Sequence, residues 1–130
     1  MQIHEIMKKN IISINSDATI MEACKRYYRN RIGSLVVLDQ GTLKGIITER
    51  DIISRVIILN KDPNITTVKE IMSPTIITIN QNANIEEASK IMSSNNIKKL
   101  PVVSDTGNLV GIITASDISH ILEGYQKKNL

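Results

Sequence analysis

Thr48-Glu49-Arg50-Asp51 and Thr114-Ala115-Ser116-Asp117 place a hydroxyl and a carboxylate three residues apart, twice in a chain of 130 residues. That spacing fits a variant capping box, in which Thr takes the N-cap of a helix and the acid reaches back to the N-cap amide. Such a box forms without any ligand, and spacing alone favours that structural role. The same groups have a second capacity. An ionised carboxylate has two acceptor oxygens and can accept from a vicinal diol. A strand end running into a helix start presents free N–H groups and the positive end of the helix dipole, which suits a phosphate. Arg50 before the first Asp adds a bidentate fork for phosphate, whereas Ser116 stands before the second.

Other reactive side chains are isolated. His4 and His120 have no Cys or carboxylate at metal-ligand spacing, which speaks against a metal site. His120 follows Asp117 by three residues, shares its helix face and could approach a cleft. The single cysteine, Cys24, falls on an apolar helix and reads as packing. No nucleophile has a base at a recognisable spacing, so an enzyme is the least supported class.

The elements that must position these groups occur twice. Ile6-Met7 recurs as Ile71-Met72, Ile11-Ile12-Ser13-Ile14-Asn15 as Ile76-Ile77-Thr78-Ile79-Asn80, and Gly45-Ile46-Ile47-Thr48 as Gly111-Ile112-Ile113-Thr114. At an offset of 65, 15 of the 33 positions from 6 to 38 are identical to their partners. At an offset of 66, so are 8 of the 12 from 41 to 52. Chance does not supply that, and such a repeat decides the architecture. The one-residue insertion falls near Ser104 to Thr106, in a turn, where it costs little.

Each repeat reads strand, helix, strand, strand, helix. Ile11 to Ile14 is a β-branched strand, Asn15 to Asp17 offers N-caps, and the apolar spacing from Ala18 to Tyr27 is helical. Arg31 to Gly33 breaks that helix. Leu35–Leu38 and Leu43–Ile47 are strands about an Asp39-Gln40-Gly41 turn. A helix from Glu49 to Leu59 is expected to bury Ile52, Ile53, Val56 and Ile57. The second repeat has a strand at 76–79, a helix at 83–94, a hairpin at 100–113 and a helix at 115–125. Short helical lead-ins, Ile3 to Lys8 and Val68 to Met72, precede the first strands, and Gln126 to Leu130 is polar and expected to fray. Asn60 to Asn64, with Pro63, is the one convincing linker, which divides the chain into repeats at 1–62 and 63–130. The fold class is α/β, of the α+β type. Each repeat forms a three-stranded sheet with two helices on one face, marginal alone at ~60 residues. Two such units, related by pseudo-two-fold symmetry with sheets packed face to face, make one core.

Composition narrows the classes further. The chain has three Tyr, no Phe, no Trp and 25 Ile, so the core is aliphatic and nucleic acid is not recognised on an aromatic platform. No apolar run approaches the ~18 residues of a membrane span, and residues 1–10 hold no signal core. One cysteine fits a reducing cytoplasm. The net charge of +3 arises in residues 1–65, partly from Lys25, Arg26, Arg29 and Arg31. This cluster is a solvated helix face or an anion-facing patch. A DNA-binding domain would be more basic and carry a recognisable motif.

The order Ile-Met, strand, Ala-rich helix, Leu/Val strand, hairpin and Gly-Ile-Ile-Thr-x-x-Asp resembles the cystathionine β-synthase (CBS) domain. Two in tandem resemble the CBS pair, or Bateman module, over residues about 3 to 123. Nothing outside the pair is left for a catalytic domain, which suggests a stand-alone CBS-pair protein. The resemblance implies a regulatory module, not an enzyme. It implies no cofactor but an adenosine-containing ligand such as AMP, ADP, ATP or S-adenosylmethionine, held in clefts between the repeats. It also implies a homodimer that forms a flat disc through its helices, and a regulated protein not identified by this chain.

By that resemblance Asp51 and Asp117 take the ribose hydroxyls, and Thr48, Arg50, Thr114 and Ser116 touch ribose or phosphate. Lys98 and Lys99 stand where related proteins often carry phosphate-facing bases, though strand-edge lysines are as ordinary a reading. The first repeat has Gly33-Ser34 there, and Gly33 allows close approach of a ligand or simply a turn. Ile12 and Ile77, with Ser13 and Thr78, lie on the strands whose backbone contacts adenine in relatives; adenine would then sit between aliphatic side chains. Tyr27, Tyr28 and Tyr125 fall on helices and not on those strands. Because the repeats differ at these positions, one occupied and one weak or empty cleft is expected. The alternatives are a ligand-free structural dimerisation module, or a weak nucleic-acid-binding protein acting through the basic helix.

Overall fold

The structure, a computed structural model, describes residues 1–74 and 77–128, with side chains through Gly124. The chain divides into two compact units, one of Ile12–Ile76 and one of Met1–Ile11 with Ile77–Leu130.

The Ile12–Ile76 unit holds β1 (Ser13–Asn15), α1 (Ile20–Asn30), β2 (Ser34–Asp39), β3 (Thr42–Thr48), α2 (Glu49–Ile52) and α3 (Val68–Ile71). A π-helical turn, Ile53–Ile57, continues α2. Strand order is β1-β2-β3, with β1 parallel and β3 antiparallel to β2. Gln40 and Gly41, both at positive φ, turn β2 into β3, the backbone that matches strand twist in a two-residue hairpin. The core gathers Ile14, Ile20, Ala23, Tyr27, Leu35, Val37, Ile47, Ile52 and Val56. Tyr27, the buried aromatic ring among the described residues, donates its hydroxyl to the Ile47 carbonyl at 2.9 Å.

The other unit repeats the plan with β4 (Ile79–Asn80), α4 (Ile85–Asn95), β5 (Lys99–Val103), β6 (Leu109–Thr114) and α5 (Ala115–Lys128). A 3-10 turn, Ile3–Glu5, joins it from the start of the chain. Its core is Ile79, Ile85, Ala88, Met92, Leu100, Val102, Ile113, Ile118 and Ile3. Met92 takes the position of Tyr27.

The unit boundaries differ from the division at 62 and 63, because each lead-in packs with the other repeat. Ile3 N–H donates to the Ala83 carbonyl at 2.8 Å, and Lys8 and Ile112 exchange backbone hydrogen bonds at 2.8 and 2.9 Å. In the other unit Val68 N–H donates to Ala18 at 2.8 Å, and Ser73 and Ile46 exchange bonds at 3.0 and 3.3 Å. Val68 and Ile71 complete the core around Tyr27, and Ile3 completes the core around Met92. The segment around Pro63 is likewise tied down: its carbonyl accepts Met21 N–H at 2.9 Å, in the first turn of α1.

Three local expectations are corrected. Ile53 and Ile57 are 55% and 56% exposed, while Ile52 and Val56 are buried. The buried stripe therefore follows i, i+4 spacing, and its neighbours by one residue turn to solvent. The helix caps are Thr19, accepting Glu22 N–H at 3.2 Å, and Asn84, accepting Glu87 N–H at 2.9 Å. Asn15 and Asn80 instead close tight turns by accepting the amides of Asp17 and Asn82. The described part of the second unit's first strand is Ile79–Asn80, shorter than 76–79 at its start, with Ile76 outside the described residues. The frayed end expected at 126–130 falls where no side chains are described, and partly outside the described residues.

Candidate functional site

In both units the starts of the first two strands and the end of the third meet at one end of the sheet. Ser13 pairs with Val36 in parallel, and Ser34 pairs with Thr48 antiparallel. Lys99 pairs with Thr114 in the same way. This brings Ile12, Ser13 and Gly33 to the end where Thr48, Arg50 and Asp51 begin α2. It brings Ile77, Thr78, Lys98 and Lys99 to the end where Thr114, Ser116 and Asp117 begin α5. The carbonyls of Gly33 and Lys98 accept the first helical amides, from Glu49 at 3.0 Å and Ala115 at 2.9 Å.

The capping boxes are formed. Asp51 N–H donates to Thr48 Oγ1 at 3.1 Å, and Thr48 N–H donates to Asp51 Oδ2 at 3.0 Å. In the other unit the corresponding distances are 3.0 and 3.3 Å. Each box uses one carboxylate oxygen and fixes the rotamer of its aspartate. The second oxygens differ. Asp117 Oδ1 lies 3.6 Å from Lys8 Nζ. Asp51 Oδ1 has no comparable cation among the described residues, because Ser73 occupies the place of Lys8. Lys8 was not among the expected site residues. Its signal was the lead-in repeat itself, which places a lysine opposite a serine.

Ile12 and Ile77 pack against the cores of their units, leaving backbone and the half-buried Ser13 and Thr78 as polar contact groups. The Ser13 carbonyl accepts from the Arg26 guanidinium. That commits Arg26 to the fold and leaves Lys25, Arg29 and Arg31 as the exposed part of the basic cluster. Arg50, Ser116, Lys98 and Lys99 are exposed.

A cleft of about 860 Å³ opens in the Ile12–Ile76 unit, lined by Cys24, Tyr27, Tyr28, Arg29, Arg31 and Glu49, and reaches Gly33. Two tyrosines thus line a cleft although both sit on α1, and Tyr28 is 87% exposed. The side chain of Tyr125 lies outside the described residues. Glu49 Oε2 lies 3.7 Å from where a Gly33 side chain would begin, which puts a carboxylate where the other unit has Lys98. Burial chiefly pushes the Cys24 thiol up, with Glu49 adding to it, so the thiolate is disfavoured. His120 is exposed, and among the described residues no three His, Cys, Asp or Glu gather at a metal-binding distance. No helix among them is long and apolar enough to cross a membrane.

The sequence profile of the CBS domain matches residues 3–58 and again residues 68–124. The CBS domain-containing protein YhcV of Bacillus subtilis is 34% identical over 90% of this chain and 82% of its own length. The crystal structure of the CBS domain pair of MJ0100, in complex with 5'-methylthioadenosine and S-adenosyl-L-methionine, superposes with a TM-score of 0.82. The two are 35% identical, over 96% of this chain and 98% of that one. Hypoxic Response Protein I, crystallised with two coordinated zinc ions, superposes with a TM-score of 0.83 at 29% identity, over 92% of this chain and 98% of that one.

Proposed function

Since this chain belongs to the CBS-domain family and carries two copies of the domain, we propose that it is a regulatory module that senses an adenosine-containing ligand. The observation that carries the reading is the state of the two aspartates. Each is held by its capping box through one oxygen; the second acceptor oxygen of Asp117 lies 3.6 Å from Lys8 Nζ, and that of Asp51 has no salt-bridge partner among the described residues. A ribose diol needs such a fixed acceptor, and a held rotamer lowers the entropy cost of using it. The complex of MJ0100 with two adenosyl compounds supports the ligand class. The chain's role in this reading is binding and signalling, with no reaction of its own.

Signalling requires that the ligand bind two states with different affinity and that a partner read the difference. The same reading includes a homodimer built on the exposed apolar face of Ile53, Ile57, Ile58 and Leu59. Thermal melts with AMP, ADP, ATP, NAD, S-adenosylmethionine and 5'-methylthioadenosine test the ligand class. At least one should raise the melting temperature in a concentration-dependent way. If none does, the protein is a dimerisation module without a ligand.

A further inference from the structure

We infer that Lys8 is a specificity-determining residue of the Thr114–Asp117 site, selecting adenosine ligands that carry a phosphate over those that do not; the inference rests on the ribose role proposed for Asp117. Lys8 arrives from the start of the chain. Its backbone exchanges two hydrogen bonds with Ile112, two residues before Thr114, so its Cα is pinned beside the turn. Its side chain is 70% exposed and its ammonium lies 3.6 Å from Asp117 Oδ1, the oxygen that the capping box leaves over. A lysine held at its root and free along its stem can swing between two anions.

This arrangement sets a condition on the ligand. A ribose diol donating to Oδ1 competes with Lys8 for that oxygen. An adenosine ligand without an anion displaces the ammonium and gives it nothing in return. A phosphate gives it a new partner. The other unit lacks this condition. Ser73 stands in the place of Lys8, Gly33 in that of Lys98, and the Glu49 carboxylate lies beside Gly33. Arg50 is the cation nearest in sequence to Asp51. Lys8 thus stands beside the Thr114–Asp117 turn, with Lys98 and Lys99 at the start of the strand that pairs with it, whereas the Thr48–Asp51 turn has a serine, a glycine and a carboxylate at the matching places.

The test is titration calorimetry of AMP and of 5'-methylthioadenosine, in an Asp51→Ala background that leaves one site with its aspartate. Lys8→Ser installs the residue found in the other repeat, and Lys61→Ser, in the other unit, controls for net charge. Lys8→Ser should weaken AMP about tenfold, the effect of losing one charge-assisted contact, and leave 5'-methylthioadenosine unchanged or tighter. The salt dependence of AMP binding should flatten with it. A ligand-free melt confirms that the unit still folds. Equal weakening of both ligands, no change in either, or the same loss from Lys61→Ser overturns the inference while leaving the ribose reading in place. AMP binding that survives Asp117→Ala overturns the ribose reading, and the role of Lys8 with it.

Discussion

The Met7 sulfur lies 2.6 Å from where a side chain at Gly111 would begin. The same relationship holds in the other unit, where Met72 Sδ and the Ser73 carbonyl lie 2.7 and 2.6 Å from the corresponding point at Gly45. The recurring Ile-Met and the recurring Gly-Ile-Ile-Thr are thus two halves of one contact. A lead-in lies flat across a strand that carries no side chain at that point. The exchange of lead-ins is built on it.

Gly45→Ala should destabilise its unit by about 1–3 kcal/mol, because the clash includes a backbone carbonyl that cannot swing away. Gly111→Ala should cost less, since the nearest atoms there belong to a flexible methionine and the nearest carbonyl is at 3.0 Å. Denaturant melts of the two variants read the order directly.

Ile3 is fully buried in the unit built mainly from the second repeat. Ile3→Ala should therefore cost about 2–5 kcal/mol. Amide exchange should accelerate in α4 and β5 before it does in α1 and β2, although Ile3 is adjacent in sequence to the first repeat.

Tyr27→Phe should cost about 1–2 kcal/mol, since the Ile47 carbonyl loses its donor in a buried setting. Burial first, then the neighbouring Cys24, Asp51 and Glu49, raises the Tyr27 phenol above its ordinary value of 10.0. The native state thus favours the neutral form. The advantage over the Phe variant should be full below about pH 10 and decline as pH rises further, because the unfolded phenol ionises first. Paired melts across that range provide the check.

A charge in the apolar face should separate the proposed dimer. Ile57→Glu replaces a side chain 56% exposed in the monomer, so the fold should survive while sedimentation shows a smaller species. An unchanged sedimentation coefficient places any interface elsewhere.

Much of this was legible in the residues because it is locally encoded. Thr48 and Asp51, or Thr114 and Asp117, announce a capped helix through contacts spanning three residues, and the β-branched runs announce strands. The partner of a lead-in is not local. Ile3 and Val68 each precede a strand, and nothing within a repeat says which sheet they complete. Lys8 was missed for that reason: its partner, Asp117, lies at the far end of the sequence. Asn15 to Asp17 misled as a cap because Asn favours tight turns and helix caps alike, and Thr19, one turn later, was the better placed acceptor. Ile53 and Ile57 misled because an apolar residue beside a buried stripe has the same composition whether it faces the core or a second chain.

One titration tests most directly whether Asp117 and Asp51 are ribose acceptors. Calorimetry with the best ligand of the panel should show that Asp51→Ala and Asp117→Ala each weaken the cleft they line, with the larger loss where the basic residues help, and with only about 1 kcal/mol of cap stability lost from each unit. Unaltered affinity and stoichiometry in both folded variants would show that the two aspartates are helix caps alone.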